Sequence, residues 1–170
     1  RHELIDTMLE DSERLQLTID QILLAGKTGD SRRVDNPTEL DVLDIVSECV
    51  ALAGKRHHLL NGEVRLVAGV PQGTLVVKGD RDELVGAVTN LVDNAVKYTP
   101  PGGRVTLTTG HDASAVWVAV ADTGVGIDSS ELPRVFDRLY RSERTRHERG
   151  LGLGLGLARA VAETHGGSLT

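Results

Sequence analysis

The stretch Leu84 to Tyr98, LVGAVTNLVDNAVKY, narrows what this chain can become more than any other. At roughly 100° per residue on a helix, Leu84, Val85, Val88, Leu91, Val92 and Ala95 share one wedge, while Glu83, Asn90, Asn94, Lys97 and Tyr98 lie opposite. The wedge is a core face. The opposite face combines amides one turn apart with a cation and an aromatic. An amide oxygen is a hard ligand suited to Mg²⁺. An ammonium suits phosphate as a point charge, and a phenol ring packs on a flat heterocycle. Any one of these residues alone reads as a solvated helix face. Together they are the parts of a Mg-nucleotide site, provided the rest of the chain supplies the remainder.

The 170 residues give room for one compact domain and an appendage. Hydrophobic residues make up 39%, but with 1 Phe, 1 Trp and 2 Tyr the core must be built from Val, Leu and Ala. A net charge of -6 argues against nucleic-acid binding. Cys49, the single cysteine, sits in an apolar helical pattern and reads as a small buried hydrophobe, which excludes a disulfide framework within one chain. No run approaches the ~18 apolar residues of a membrane span, and no signal peptide is recognisable.

From Arg1 to about Ala25, Ile5, Met8, Ser12, Leu15, Ile19 and Ile22 form a heptad seam, which predicts a long helix paired in a bundle, most simply between two chains. His2 reads as an exposed helix-terminal histidine, since no second His follows four residues later. The polar, glycine-containing segment after it reads as a linker. The expected division is therefore residues 1–27 for the helix, 28–36 for the linker and 37–170 for the compact domain.

In that domain a helix is expected to open at Pro37-Thr38-Glu39-Leu40 and end near Gly54. The adjacent His57 and His58 do not share a helix face, so they do not read as a metal pair. Two short strands, Glu63 to Val67 and Thr74 to Lys78, are joined across Val70-Pro71-Gln72-Gly73, and Asp80 or Asp82 is the expected N-cap of the following helix. Pro100-Pro101-Gly102-Gly103 ends that helix. Strands are expected at Arg104 to Thr109 and Ala115 to Ala121. The second is apolar on both faces, which predicts a place inside the sheet.

The second strand runs into Asp122-Thr123-Gly124-Val125-Gly126-Ile127. A carboxylate at the end of a buried strand needs a donor, and an adenine amino group is one. Glycines let backbone approach a planar ring, although D-x-G-x-G alone is equally a turn. Ser129 to Leu139 predicts a short amphipathic helix, and Tyr140 to Gly150 a cationic loop carrying Arg141, Arg144, Arg146 and Arg149. A glycine-rich run, Gly150 to Gly156, then feeds a helix through His165, a pattern that presents free N–H groups to phosphate. Gly166-Gly167 is its expected cap, and Ser168 to Thr170 is expected to begin a strand.

In order, TNLVDNAVKYTP, ADTGVGI, RVFDRLYRSE and RGLGLGLGLARAVAETHGG resemble the asparagine, first glycine, phenylalanine and second glycine boxes of the ATP-binding catalytic domain of sensor histidine kinases. LEDSERLQLTIDQILLAGK resembles the second helix of their dimerisation and phosphotransfer hairpin. The resemblance implies an α/β two-layer sandwich, a mixed sheet with helices on one face, preceded by one long helix. It implies Asn94 as the Mg²⁺ ligand, Asn90 supporting phosphate and metal, Lys97 on phosphate and Tyr98 on adenine. Asp122 would accept from the adenine amino group, with Gly124, Gly126 and Ile127 lining the base site. Gly152, Leu153, Gly154, Leu155 and Gly156 would border the triphosphate, and Arg138 and Arg141 would approach the γ-phosphate. Asn90, Lys97, Arg138 and Arg141 are the implied catalytic set. Leu139 stands where many members carry a second aromatic.

The implied activity is transfer of the γ-phosphoryl group of Mg-ATP to a histidine of the hairpin, whose first helix is not recognisable in this sequence. Relay to an aspartate of a response-regulator receiver domain would follow. A homodimer through the hairpin, a cytoplasmic location on an inner-membrane-anchored parent, and membrane contact only through parts outside this sequence are implied with it. ATPases sharing this fold carry a glutamate four residues before the metal asparagine, and here that position is Asn90. An ATPase of the same fold and a non-catalytic nucleotide-sensing or dimerisation module are the alternatives.

Overall fold

A computed structural model describes residues 37–57, 64–68, 74–137, 139–142 and 152–170, with the backbone alone for 64–68. The heptad helix at 1–27, the linker at 28–36, His58, Arg138 and the loop at 143–151 lie outside the described residues.

The elements are β1 (Thr38–Asp41), α1 (Val42–Arg56), β2 (Val64–Ala68), β3 (Val76–Gly79), α2 (Arg81–Tyr98), β4 (Val105–His111), β5 (Val116–Asp122), a 3-10 turn (Leu132–Arg134) and α3 (Gly154–Thr164). The sheet order is β2-β4-β5, with β2 parallel and β5 antiparallel to β4. A separate ribbon pairs β1 antiparallel with β3. Helices cover one face of the mixed sheet, so the implied α/β sandwich is the observed fold.

The core is aliphatic, as the scarcity of aromatics requires. Val42 and Val46 of α1, Val92 and Ala95 of α2, and Val105 and Leu107 of β4 meet in one cluster, with Val116, Val118 and Val120 of β5 against it. Each fully buried valine or leucine contributes about 1.5–3 kcal/mol relative to exposure. Val42, Ile45, Val46, Cys49 and Ala53 follow helical spacing along α1 and are all buried, Cys49 included. Burial also pushes the Cys49 thiol up. No described helix is long and apolar enough to cross a membrane.

Four expectations change. The residues read as the start of the first helix form β1 instead, because Leu40 pairs with Val77 and Thr38 with Gly79 across a sequence gap that local pattern cannot reveal. The helix then starts at Val42, with the Asp41 carboxylate accepting from the Leu43 N–H. The strands joined across Val70 to Gly73 do not pair with each other; β2 goes to β4 and β3 to β1.

Among the described residues β5 lies at the sheet edge, not inside it. Its outward side is small, Ala115, Ala119 and Ala121, with Trp117 laid over Gly110 of β4, where an added Cβ would stand 2.7 Å from Cε2. Trp117 stays 43% exposed while covering that glycine. The amphipathic helix expected at Ser129 to Leu139 is reduced to the 3-10 turn with Pro133 in it. Leu132 and Leu139 remain exposed, so no apolar face is buried to sustain a helix. Ser168 to Thr170 has no strand pairing.

Candidate functional site

Helix α2 is anchored at both ends. Asp80 caps the start, its Oδ1 accepting from the Glu83 N–H at 3.1 Å. At the other end Thr99 Oγ1 donates to the Ala95 carbonyl, and Gly103 N–H closes a turn onto the Pro100 carbonyl. Pro101 and Gly102, the latter at φ 82°, occupy the central positions that a type II turn requires. The chain is thereby returned into β4 beside the helix end.

The loop after β5 is laced to that same helix end. The Val125 N–H donates to the Tyr98 carbonyl at 3.2 Å, and a Cβ at Gly124 would collide with that carbonyl oxygen. Glycine is required here by close backbone approach. The Gly124 N–H donates to Asp122 Oδ1 at 2.8 Å, which sets the carboxylate at the mouth of the loop. Thr123 Oγ1 accepts from the Arg104 N–H, and the Thr123 N–H returns a bond to the Arg104 carbonyl. Gly126 turns the chain at φ 65°, and Val125 and Ile127 beside it are half exposed.

A second set of contacts joins α3 to α2. A Cβ at Gly154 would stand 3.5 Å from Asn90 Oδ1, so the start of α3 faces that amide. A Cβ at Gly156 would stand 2.9 Å from the Phe136 carbonyl. The Leu139 N–H donates to the Gly152 carbonyl at 3.0 Å, with φ positive at both residues, 64° and 70°. Leu153 is buried and Leu155 half-buried.

Helix α3 starts at Gly154, so Gly154 and Gly156 belong to its first turn rather than to a loop before it. Its end is the expected glycine cap: the Gly167 N–H reaches the Ala162 carbonyl at 2.8 Å and the Gly166 N–H the Glu163 carbonyl, with Gly166 at φ 77°.

The structure thus sets the start of α3 against Asn90 and the loop after β5 against Tyr98, on the stretch of α2 that also carries Asn94 and Lys97. Lys97 Nζ donates to the Tyr98 hydroxyl at 3.0 Å and sits 4.6 Å from that ring's centroid, so cation and aromatic act as one unit. The Asn94 side chain makes no hydrogen bond among the described residues. Arg141 is half-buried. Beside it Tyr140 donates to Glu131 at 3.2 Å under the Arg134 guanidinium, and partial desolvation with the Glu131 carboxylate pushes the phenol up.

Two residues escaped the sequence reading. Asp93, between the two asparagines, accepts from Arg56 on one oxygen and lies 2.9 Å from His57 Nε2 on the other, tying α2 to the end of α1. Its signal was a carboxylate at the border of the apolar wedge, with Arg56-His57 ending the neighbouring helix. His165 bridges the far ends of α3 and α2. Its only signal was its place ahead of the Gly166-Gly167 cap.

Residues 79–170 match the profile of the family described as histidine kinase-, DNA gyrase B-, and HSP90-like ATPase. The sensor-like histidine kinase SenX3 of Mycolicibacterium smegmatis is 33% identical over 168 residues, covering 96% of this chain and 42% of SenX3. The chain thus spans about two fifths of the length of the SenX3 relatives it matches. Among solved structures, the ATP-binding domain of PrrB from Mycobacterium tuberculosis superposes with a TM-score of 0.60 at 28% identity, covering 79% of this chain and 85% of that one. The fold is also that of histidine kinase ThkA in complex with response regulator TrrA, at a TM-score of 0.71 and 23% identity, over 97% of this chain and 45% of that one.

Proposed function

The chain belongs to the histidine kinase-, DNA gyrase B-, and HSP90-like ATPase family, and from that premise we propose that it holds Mg-ATP and donates the γ-phosphoryl group to a histidine. Its fold and relatives are those of the ATP-binding catalytic domain of a sensor histidine kinase. The acceptor is a histidine of a dimerisation hairpin, and an aspartate of a response regulator receives the group next. A homodimer through the hairpin and a cytoplasmic position under a membrane anchor complete the reading.

The observation that carries it is the amide of Asn90 facing the first turn of α3. A hydrolase of this fold needs a carboxylate there to take a proton from water. Asn90 has no such basicity, so water is not activated and a better nucleophile, an imidazole presented in line, takes the phosphoryl group.

The metal fits the donor set. Among the described residues no group of three His, Cys, Asp or Glu is placed to cage an ion. Asn94 would hold Mg²⁺ through a hard amide oxygen, with phosphates and water as the other ligands, which suits this ion; once bound it would neutralise phosphate charge. The chain's own residues do the rest by positioning and electrostatics. Asp122 accepts from the base amino group, Tyr98 packs on its ring, and Gly124, Gly126 and Ile127 line the base. Lys97 leaves the Tyr98 hydroxyl for phosphate, and Gly152 to Gly156 open the α3 N-terminus to the triphosphate. Arg138 and Arg141 of the phenylalanine box would approach the γ-phosphate, as the resemblance implies.

Titration of ATP into the chain with and without Mg²⁺ tests the premise. Binding that tightens with Mg²⁺, and loses that gain in Asn94→Asp, supports it. Absence of ATP binding near millimolar concentration overturns it.

A further inference from the structure

His165 sits just beyond the last residue of α3, and each of its ring nitrogens faces a backbone group of fixed type. Nδ1 lies 2.8 Å from the Val161 carbonyl, which can only accept. Nε2 lies 3.1 Å from the Asp80 N–H, which can only donate. Those partners fix one form of the ring: neutral, with the proton on Nδ1. A second proton on Nε2 would set N–H against N–H.

The ring is also held sterically. A Cβ at Gly79 would stand 2.5 Å from His165 Cδ2 and 2.7 Å from Nε2, so β3 presses its backbone against the imidazole. Leu84 lies at the same spot from α2.

Helices α2 and α3 run antiparallel and pack along their length, and two contacts mark the ends of that packing. One is His165 on Asp80, the other Gly154 on Asn90. At 1.5 Å per residue the two points are about 15 Å apart along α2 and about 17 Å apart along α3. With these lengths matched, a fixed bond at one end sets the slide of α3 at the other. The other end is where α3 opens beside Asn90.

We propose that His165 is a positioning residue for the nucleotide site: its neutral imidazole sets the axial register of α3 on α2, and protonation releases it. This rests on the ATP-binding reading. Charged groups on the packed elements are Lys78 of β3, paired with Glu39; Asp80, engaged by the Glu83 N–H; Arg81, paired with Glu48; Asp82 and Glu83 of α2; and Glu163 of α3, paired with Arg159. The surrounding carboxylates attract an imidazolium, and Glu83 Oε2 is buried with no hydrogen-bond partner among the described residues, so it can take a proton donated by Nε2; in either case a protonated Nε2 opposes the Asp80 N–H and the ring must leave that bond.

The test compares wild type, His165→Gln and His165→Ala at about pH 7.5 and about pH 5.5, two conditions that bracket a change of protonation among histidines in general. Glutamine can place an acceptor oxygen where Nε2 lies and does not titrate. Affinity for Mg-ATP is expected to fall on acidification about tenfold more in wild type than in His165→Gln, the loss of one buried hydrogen bond. His165→Ala is expected to bind about tenfold more weakly at both pH values. Hydrogen exchange at the Asp80 amide, corrected for its intrinsic rate, reads the bond without nucleotide. It is expected to lose protection in wild type at the lower pH and to keep it in His165→Gln. An equal acid loss of affinity in wild type and His165→Gln, or Asp80 protection that does not change with pH in wild type, would overturn the proposal. If Mg-ATP binds at neither pH, the ATP reading fails, and the Asp80 exchange still decides whether His165 is a proton-sensitive latch.

Discussion

The backbone of Gly124 runs against the Tyr98 carbonyl so closely that any side chain at 124 would displace one or the other. The loop that presents Asp122 is thereby locked to the end of the helix that presents Asn94. Gly124→Ala should cost about 1–3 kcal/mol of stability, the usual result of overpacking, and should weaken ATP binding by moving Asp122. Urea denaturation and ATP titration on the same variant check both; unchanged affinity would detach the loop from the base.

Asp93 holds α2 to α1 through Arg56 and His57, with side chains under a third exposed. Asp93→Ala leaves the Arg56 cation half-buried without its carboxylate, which should destabilise by about 1–3 kcal/mol. A double-mutant cycle with Arg56→Ala should show coupling of roughly 1 kcal/mol. Additive losses would make the pair incidental.

Thr109 of β4 is buried at 0% exposure, and its hydroxyl has no hydrogen-bond partner among the described residues. Valine has nearly the same shape and no polar atom. Thr109→Val should therefore raise stability by about 1 kcal/mol, measured as an upward shift in the urea midpoint at constant slope.

The β4–β5 hairpin turn depends on a titratable group. Asp112 Oδ1 accepts from Ser114 N–H, Ser114 Oγ and Ala115 N–H, and these bonds hold its carboxyl below the ordinary value. A depressed folded value means the stabilisation is fully present above the ordinary carboxylate range and is lost as pH falls through the lowered one. Asp112→Asn keeps an acceptor and removes the titration. Its thermal midpoint should depend less on pH than wild type in acid and no differently near neutrality.

Much of this was legible in the sequence where local pattern and tertiary contact agree. The α2 wedge read from Leu84 to Tyr98 is the core-facing side of a helix that begins at Arg81, and Asp80 caps it as read. Strand β1 was not legible, since Thr38 and Glu39 carry a helix-start composition and become extended only by pairing with β3. The helix read after Ser129 failed for a related reason. Its backbone closes separate local turns onto the Asp128, Glu131, Arg134 and Asp137 carbonyls, the Leu139 N–H goes to Gly152, and Leu139 stays 67% exposed.

Within the site, residue types were legible and their pairing was not. Nothing in the string joins Tyr98 to Gly124, Asn90 to Gly154 or Asp80 to His165, because each contact is made by backbone meeting backbone, a side-chain amide or a ring across the fold.

The fate of the γ-phosphoryl group tests the central claim most directly. The chain is incubated with γ-labelled Mg-ATP and a separately supplied dimerisation hairpin carrying its acceptor histidine. Label is expected on the hairpin in an acid-labile, base-stable form, with little free phosphate, and labelling is expected to be lost in Asn94→Asp with the fold retained. Rapid release of free phosphate with no labelled hairpin would contradict that claim and make the protein a hydrolase.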